Sequence, residues 1–319
     1  MVTDGPGIGV RCRVASLQAG EPLVGTAPHA VGWLVLEQPG PWGAKAWTAS
    51  RLDPDLGARV EAACAVTSHP VRPALVRRPD GTSGESRTLL LAHTVPGSSW
   101  LLGAEVPADG LADVPWEALA VAVAAGDADV VRRELPGCVP VPPVLLVCTN
   151  GKRDRCCAIE GRPVAVEVAR TRPGRCWETT HLGGHRFAPT AAVLPSGSLH
   201  GRLDAEAAAG LLDAAERGEV VLDGARGRST WPPPAQAAES AVRRELGERD
   251  ADALQVETHD GDRVTVRHRD GRSWSVLVGQ EERDDLRPES CGKAVLPVRA
   301  WRVESVTHST RLTEPGGGR

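Results

Sequence analysis

The chain has 319 residues, which is enough for two compact units, and its composition of 41% hydrophobic and 24% charged residues is that of an ordinary globular protein. A formal net charge of −4 argues against a nucleic-acid or anionic-membrane partner. The N-terminal segment lacks a secretory signal pattern, and no apolar stretch approaches the about 18 residues of a membrane span. We therefore expect a cytoplasmic protein. Eight cysteines in that reducing compartment favour metal or redox chemistry over disulfides.

An N-terminal unit with mixed strands and helices is predicted over residues 1–135. Short apolar runs predict strands over 31–37, 88–94 and 99–106, the last two separated by a Pro-Gly turn. The Ala-rich segment Trp116–Ala125 contains no helix breaker and predicts a helix. These elements indicate an additional α/β unit ahead of the main motifs.

A second unit is predicted over residues 136–225, after the Pro-rich joint LPGCVPVPP at 135–143. Its apolar run 144–147 is typical of a strand in a sheet covered on both faces. The other predicted elements are a helix, a strand pair and a helix capped by Asp204, at 163–170, 191–194, 198–203 and 204–217. The order strand–helix–strand–strand–helix indicates a small α/β domain.

A C-terminal extension is predicted over residues 226–319. It contains a helix at about 234–247 and antiparallel strands that alternate polar and apolar residues across two Asp-Gly turns, at 260–261 and 270–271. The glycine-rich end of the chain is predicted to be a disordered tail. The fold class predicted for the whole chain is α/β with a partly β C-terminal extension.

Two cysteines and two histidines lie close together in the second unit: Cys148, Cys157, His181 and His185. Cysteine and histidine in one cluster indicate zinc or an iron–sulfur centre. Cys148 ends the buried strand, and eight residues separate it from Cys157. Structural zinc sites usually separate their paired cysteines by about two to four residues, so the longer spacing favours a larger cofactor.

The histidines lie in the segment HLGGH. Residues four apart share one face of a helix, but Gly183 and Gly184 disfavour a helix by about 1 kcal/mol each. In a loop, glycines let backbone N–H groups approach sulfur closely because no Cβ intervenes. Two thiolates with two neutral imidazoles also carry less negative charge than four thiolates, which raises the potential of a [2Fe–2S] cluster.

Three segments resemble the sucrase/ferredoxin-like family, whose members are also described as thioredoxin-like ferredoxins. They are VLLVCTNGKRDRCCAIEG…CWETTHLGGHRF at 144–187, GTAPHAVGWLVLEQPGPWG at 25–43 and ESCGKAVLPVRAWRV at 289–303. The resemblance implies a thioredoxin-like ferredoxin domain at 136–225 and a [2Fe–2S] cluster held by Cys148, Cys157, His181 and His185. It implies a soluble electron carrier rather than an enzyme, and we identify no glycosidase-type carboxylate pair.

Alternatives stay open at this point. Cys156 stands where relatives often carry a basic residue, so it competes with Cys157 for the role of second thiolate. A Cys2His2 set also suits a structural zinc module without a redox role. A thiol oxidoreductase using the vicinal Cys156–Cys157 pair is a weaker alternative, because thioredoxin-type chemistry uses Cys-x-x-Cys. The sequence offers no companion ligand for four other cysteines, which we interpret as structural: Cys12, Cys64, Cys138 and Cys291. Cys176 is close enough to the histidines to lie near the cluster, but we interpret it as a core residue.

A basic loop follows the first cysteine of the set. Lys152, Arg153 and Arg155 are predicted to form a docking surface for an acidic redox partner protein, either a reductase or an acceptor. No nucleic-acid or membrane partner is expected.

Overall fold

The structure is a computed structural model that describes residues 10–309. Within this range the chain forms a ten-stranded mixed sheet followed by a four-stranded antiparallel sheet, with helices packed against both. The predicted α/β class is confirmed. The tail predicted to be disordered lies outside the described residues.

The first half of the large sheet is a strand–helix–strand unit followed by a hairpin. Strands β1 (Gly32–Glu37) and β2 (Val71–Arg77) are parallel, and helix α2 (Pro54–Ala65) connects them. Strand β3 (Ser86–His93) pairs antiparallel with β1, and β4 (Trp100–Pro107) pairs with β3. The other elements here are α1 (Cys12–Gln18), a 3₁₀ helix (Ala108–Asp113), α3 (Trp116–Ala125), α4 (Ala128–Glu134) and β5 (Val139–Pro140).

The second half repeats this connectivity. Parallel strands β6 (Val144–Cys148) and β7 (Cys176–Thr179) are joined by helix α5 (Arg155–Thr171), and the antiparallel strands β8 (Ala191–Leu194) and β9 (Ser198–His200) follow. The remaining elements are a 3₁₀ helix (His185–Phe187), α6 (Ala205–Glu216) and β10 (Ala225–Arg228).

The two halves meet through an antiparallel pairing of β2 with β7, in which Val76 lies opposite Thr179. The strand order is β10-β9-β8-β6-β7-β2-β1-β3-β4-β5. Counted outward from the centre, β7, β6, β8, β9 and β10 on one side therefore correspond to β2, β1, β3, β4 and β5 on the other. The sequence reveals no repeat, so this likeness exists only in the connectivity. One sheet crosses the predicted boundary at residue 135, and the separate N-terminal unit and the thioredoxin-like description both stay predictions.

Strand β6 is buried at every position, as the apolar run predicts. Leu145 and Val147 pack against the α5 and α6 side of the sheet, whereas Leu146 and Cys148 face the core shared by both halves. This alternation is the two-residue period of a strand. It directs the Cys148 side chain away from the face on which α5 and α6 pack.

Helix α5 begins eight residues before the predicted start at residue 163. Asp154 caps it, because its Oδ1 accepts a hydrogen bond from the backbone N–H of Cys156 at 2.8 Å. Pro163 lies inside the helix, although proline is commonest in the first turn. Cys156 and Cys157 therefore lie on the first helical turn, ahead of the predicted start of the helix.

The C-terminal part forms the four-stranded sheet, against which helix α7 (Pro233–Leu246) packs. Both predicted Asp-Gly turns are present, between β11 (Leu254–Asp260), β12 (Arg263–His268) and β13 (Ser273–Pro288). The sequence reading missed the length of β13 and its pairing with β14 (Val295–Ser309). The turn of this long hairpin carries Cys291.

A substitution at Gly161 can test the close contact between α5 and β6. A Cβ at this position would lie 2.3 Å from the backbone carbonyl oxygen of Cys148, and a backbone atom cannot move aside cheaply. We expect Gly161→Ala to lower the free energy of unfolding by about 1–3 kcal/mol in chemical denaturation. The matched control is Gly210→Ala in α6, where no atom lies within 4 Å. It should be neutral or stabilising by up to about 1 kcal/mol. Equal effects of the two substitutions would contradict the packing described.

Candidate metal centre

Two parallel strands bring the first cysteine and the first histidine of the predicted set to one edge of the sheet. Cys148 is the last residue of β6 and lies opposite Thr179, the last residue of β7. His181 follows two residues later. Because parallel strands end at the same edge, this register places the Cys148 and His181 side chains together.

Helix α5 supplies Cys157, and the 3₁₀ helix His185–Phe187 supplies His185. The Cys157 Sγ lies 3.4 Å from the Nδ1 of His185, and the imidazole rings of His181 and His185 stack with centroids 4.2 Å apart and an angle of 18°. The Cys148 sulfur interacts with both Cys157 and His181. The structure thus gathers the four residues that the sequence predicted as a set.

Burial and mutual contacts set the protonation of these groups. A hydrogen bond from the Cys157 thiol, aided by His181 and the backbone N–H of Leu182, holds the pKa of Cys148 well below its usual range in spite of burial. The same Cys148 contact, followed by burial, raises the pKa of Cys157. Burial and the neighbouring His181 lower the pKa of His185 to about 4. A ready thiolate and a neutral imidazole are the forms that bind a metal.

The HLGGH segment is a loop, as predicted. Gly183 and Gly184 have φ values of 78° and 68°, which glycine adopts without strain. The buried Arg226 holds the loop in place. Its guanidinium donates hydrogen bonds to the carbonyl oxygen of Gly183, at 3.0 Å, and to that of Thr26. A Cβ on Gly184 would lie 2.7 Å from the Arg226 guanidinium, so the glycine permits this close approach.

The spread of the four side chains bears on what they could hold. No three of them bring one ligand atom each within 4.8 Å of all the others, whereas a single tetrahedral zinc needs neighbouring ligand atoms about 3.3–3.8 Å apart. A cluster with two irons distributes its ligands over two metal atoms and needs a wider set. The donor types and the burial of the two cysteines are compatible with a bound metal centre.

A second group of possible ligands lies on the other side of the same helical turn. Cys12, Asp154, Cys156 and Cys291 bring their ligand atoms within 4.8 Å of one another, and no other such group is found among residues 10–309. The interpretation of Cys12 and Cys291 as lacking a companion ligand was therefore wrong. These two residues are 279 positions apart, so no local spacing could have revealed the group. Cys156 belongs to it and not to the set around Cys148.

The remaining predicted site residues lie at the surface. Lys152 and Arg153 are exposed in the loop before α5, and the exposed Arg155 is the first residue of the helix. Arg155 also interacts with the Cys291 sulfur.

A family model described as Sucrase/ferredoxin-like matches residues 23–227. This range covers the four residues of the set around Cys148, together with Asp154 and Cys156, but neither Cys12 nor Cys291. Neither the curated proteins nor the solved structures contain a significant match to the chain. Among the described residues, no helix has the length and apolar character needed to cross a membrane.

The hydrogen bonds from Arg226 to Gly183 and Thr26, which we call the Arg226 clamp, can be tested by Arg226→Met. This substitution keeps a long side chain but removes its hydrogen-bond donors. The partly buried carbonyl groups of Gly183 and Thr26 then lose a donor, so we expect the free energy of unfolding to fall by about 1–3 kcal/mol. Hydrogen exchange at residues 181–185 should also accelerate. The control Arg217→Met breaks an exposed ion pair with Glu219 and should cost less than about 1 kcal/mol. Unchanged exchange in the Arg226 variant would rule out the clamp.

Proposed function

Because the chain belongs to the sucrase/ferredoxin-like family, we propose that it is an electron-transfer protein carrying a [2Fe–2S] cluster on Cys148, Cys157, His181 and His185. The observation that carries this proposal is the buried pair of cysteines beside a stacked pair of histidines. The match to a family described as ferredoxin-like favours the cluster over the alternative of a structural zinc.

The residues determine the electronic character of the site. When bound, the cluster supplies one-electron chemistry. Two thiolates and two neutral imidazoles leave the reduced site less negative than four thiolates would, so histidine ligation favours the reduced state and raises the potential. His185 is suited to this role because burial keeps its ring neutral at physiological pH. Cys148 and Cys157 are each 1% exposed, so water has little access to their side chains.

Electron exchange with a partner is proposed to occur on the histidine side. A depression of about 560 Å³ borders His185, and its charged lining residues are three basic ones and one acidic one: Arg153, Arg186, Lys293 and Glu289. A second depression, of about 290 Å³, borders His181 and also includes Arg153. This basic rim suits an acidic redox protein, and it extends the docking role predicted for Lys152, Arg153 and Arg155.

The positions of the vicinal cysteines do not favour a thiol oxidoreductase. Cys157 contacts the His185 ring, whereas the Cys156 sulfur lies 3.6 Å from Cys12 and 3.4 Å from Cys291. The two sulfurs thus belong to different groups, and a disulfide between them would disrupt both. Electron transfer through a bound cluster needs no such rearrangement.

Cofactor content tests the assignment of the second thiolate. The purified full-length chain should contain about two irons and two acid-labile sulfides. Cys157→Ser should lose most of both, because it removes a thiolate ligand, while the adjacent Cys156→Ser should retain them. Elemental analysis and visible absorption measure the outcome. Loss of iron in the Cys156 variant with retention in the Cys157 variant would exchange the two roles, and a wild-type chain without iron would refute the proposal.

The potential tests histidine ligation separately. His185→Cys replaces a neutral ligand by a thiolate, and the added negative charge should lower the reduction potential while the cluster is retained. The control His200→Asn alters another buried histidine, which lies in β9 and hydrogen-bonds the Val221 carbonyl oxygen. Its potential should equal that of the wild type. A raised or unchanged potential in the His185 variant would show that His185 does not ligate iron.

A further inference from the structure

Three sulfurs from distant parts of the chain form a nearly equilateral triangle beside the first turn of α5. Cys12 Sγ lies 3.6 Å from the sulfurs of both Cys156 and Cys291, and those two are 3.4 Å apart. Disulfide bonds require about 2.05 Å, so all three cysteines are free thiols here.

These distances are close to those of a metal thiolate site. Sulfurs bound to tetrahedral zinc at about 2.3 Å are about 3.8 Å apart, so a cation could contact all three sulfurs from about 1 Å above their plane. The carboxylate oxygens of Asp154 lie 3.7 and 3.8 Å from the Cys12 sulfur. An oxygen and a sulfur on one tetrahedral zinc are about 3.5 Å apart, so Asp154 can complete the set.

The surroundings orient this group in the manner of a metal site. Asp154 is 4% exposed and accepts hydrogen bonds from the backbone N–H groups of Cys156 and Cys291 and from the Ser290 hydroxyl, at 2.7–2.8 Å. Such outer contacts fix the orientation of a ligating carboxylate. The Arg155 guanidinium, which interacts with the Cys291 sulfur, would offset part of the negative charge of three thiolates and a carboxylate.

We propose that Cys12, Asp154, Cys156 and Cys291 form a second metal site that binds Zn²⁺ or a similar thiophilic divalent cation. Thiolates select zinc over magnesium or calcium, and four protein ligands leave no open position, as in structural sites. The cation ties α1 and the turn of the β13–β14 hairpin to the start of α5. This site is separate from the proposed cluster and does not depend on it.

The adjacent cysteines provide matched variants for the test. Full-length chain produced with added zinc should contain about one zinc per chain in addition to any metal on the set around Cys148. Cys156→Ser should lose that equivalent and keep its iron, whereas Cys157→Ser should lose iron and keep the zinc. The same zinc content in the wild type and in Cys156→Ser would overturn the proposal, whatever the iron content is.

Cys291→Ser provides a second test, because Cys291 lies in a partly exposed turn where a serine leaves the core intact. It should lose the same zinc equivalent, while Cys64→Ser, at a buried cysteine of α2, should not. After chelation, Co²⁺ added to the wild type should restore thiolate-to-metal absorption that Cys291→Ser lacks. Absence of both zinc and this absorption in the wild type would refute the site. So would a disulfide among the three cysteines, seen as a mass change that reduction reverses.

Discussion

The start of helix α5 is the constraint on which both groups of ligands depend. Asp154 ends the loop after β6 and caps the helix, so the two residues that follow Arg155 enter a regular helical turn. Consecutive residues of an α-helix point about 100° apart, and therefore Cys156 and Cys157 cannot face the same ligands. The sequence pair Cys-Cys, which suggests a single reactive site, is thus divided between two. A helix that began at residue 163 would have left both cysteines in a loop, with neither direction determined.

The two halves of the sheet place different side chains at equivalent strand ends. Both halves contain two parallel strands joined by a helix, and in both the first strand ends at the same edge as its partner. Glu37 lies at the end of β1. Its buried carboxylate forms an ion pair with Arg78 at 3.3 Å and accepts a hydrogen bond from the backbone N–H of Thr88 at 3.1 Å. Cys148 lies at the end of β6. One architecture therefore supports an ion pair in the first half and a candidate metal ligand in the second.

The sequence predicted those parts that depend on local patterns. The helix Trp116–Ala125, the strand Ala191–Leu194 and the two Asp-Gly turns follow directly from composition and alternation. The sequence also singled out the set around Cys148, because its members lie close together in the chain, and their role as ligands stays a proposal. Strand β7 was missed, since four residues are too few for a period to be recognised. Helix α2 and strand β2 were missed as well, and the pairing of β2 with β7 depends on contacts far apart in sequence.

No local sequence pattern could have predicted the second set of possible ligands, which consists of Cys12, Asp154, Cys156 and Cys291. Cys12 and Cys291 both lie outside the range of the family match, one before it and one after it, while Asp154 and Cys156 lie inside. The range that the family model matches therefore supplies two of the four ligands, and helix α1 and the β13–β14 hairpin supply the other two. Neither pair offers enough ligands to close a site. Helix α1 and the β13–β14 hairpin thus meet at the helical turn that also presents Cys157 to the histidines. Both segments outside the matched range therefore contact that range beside the candidate centre.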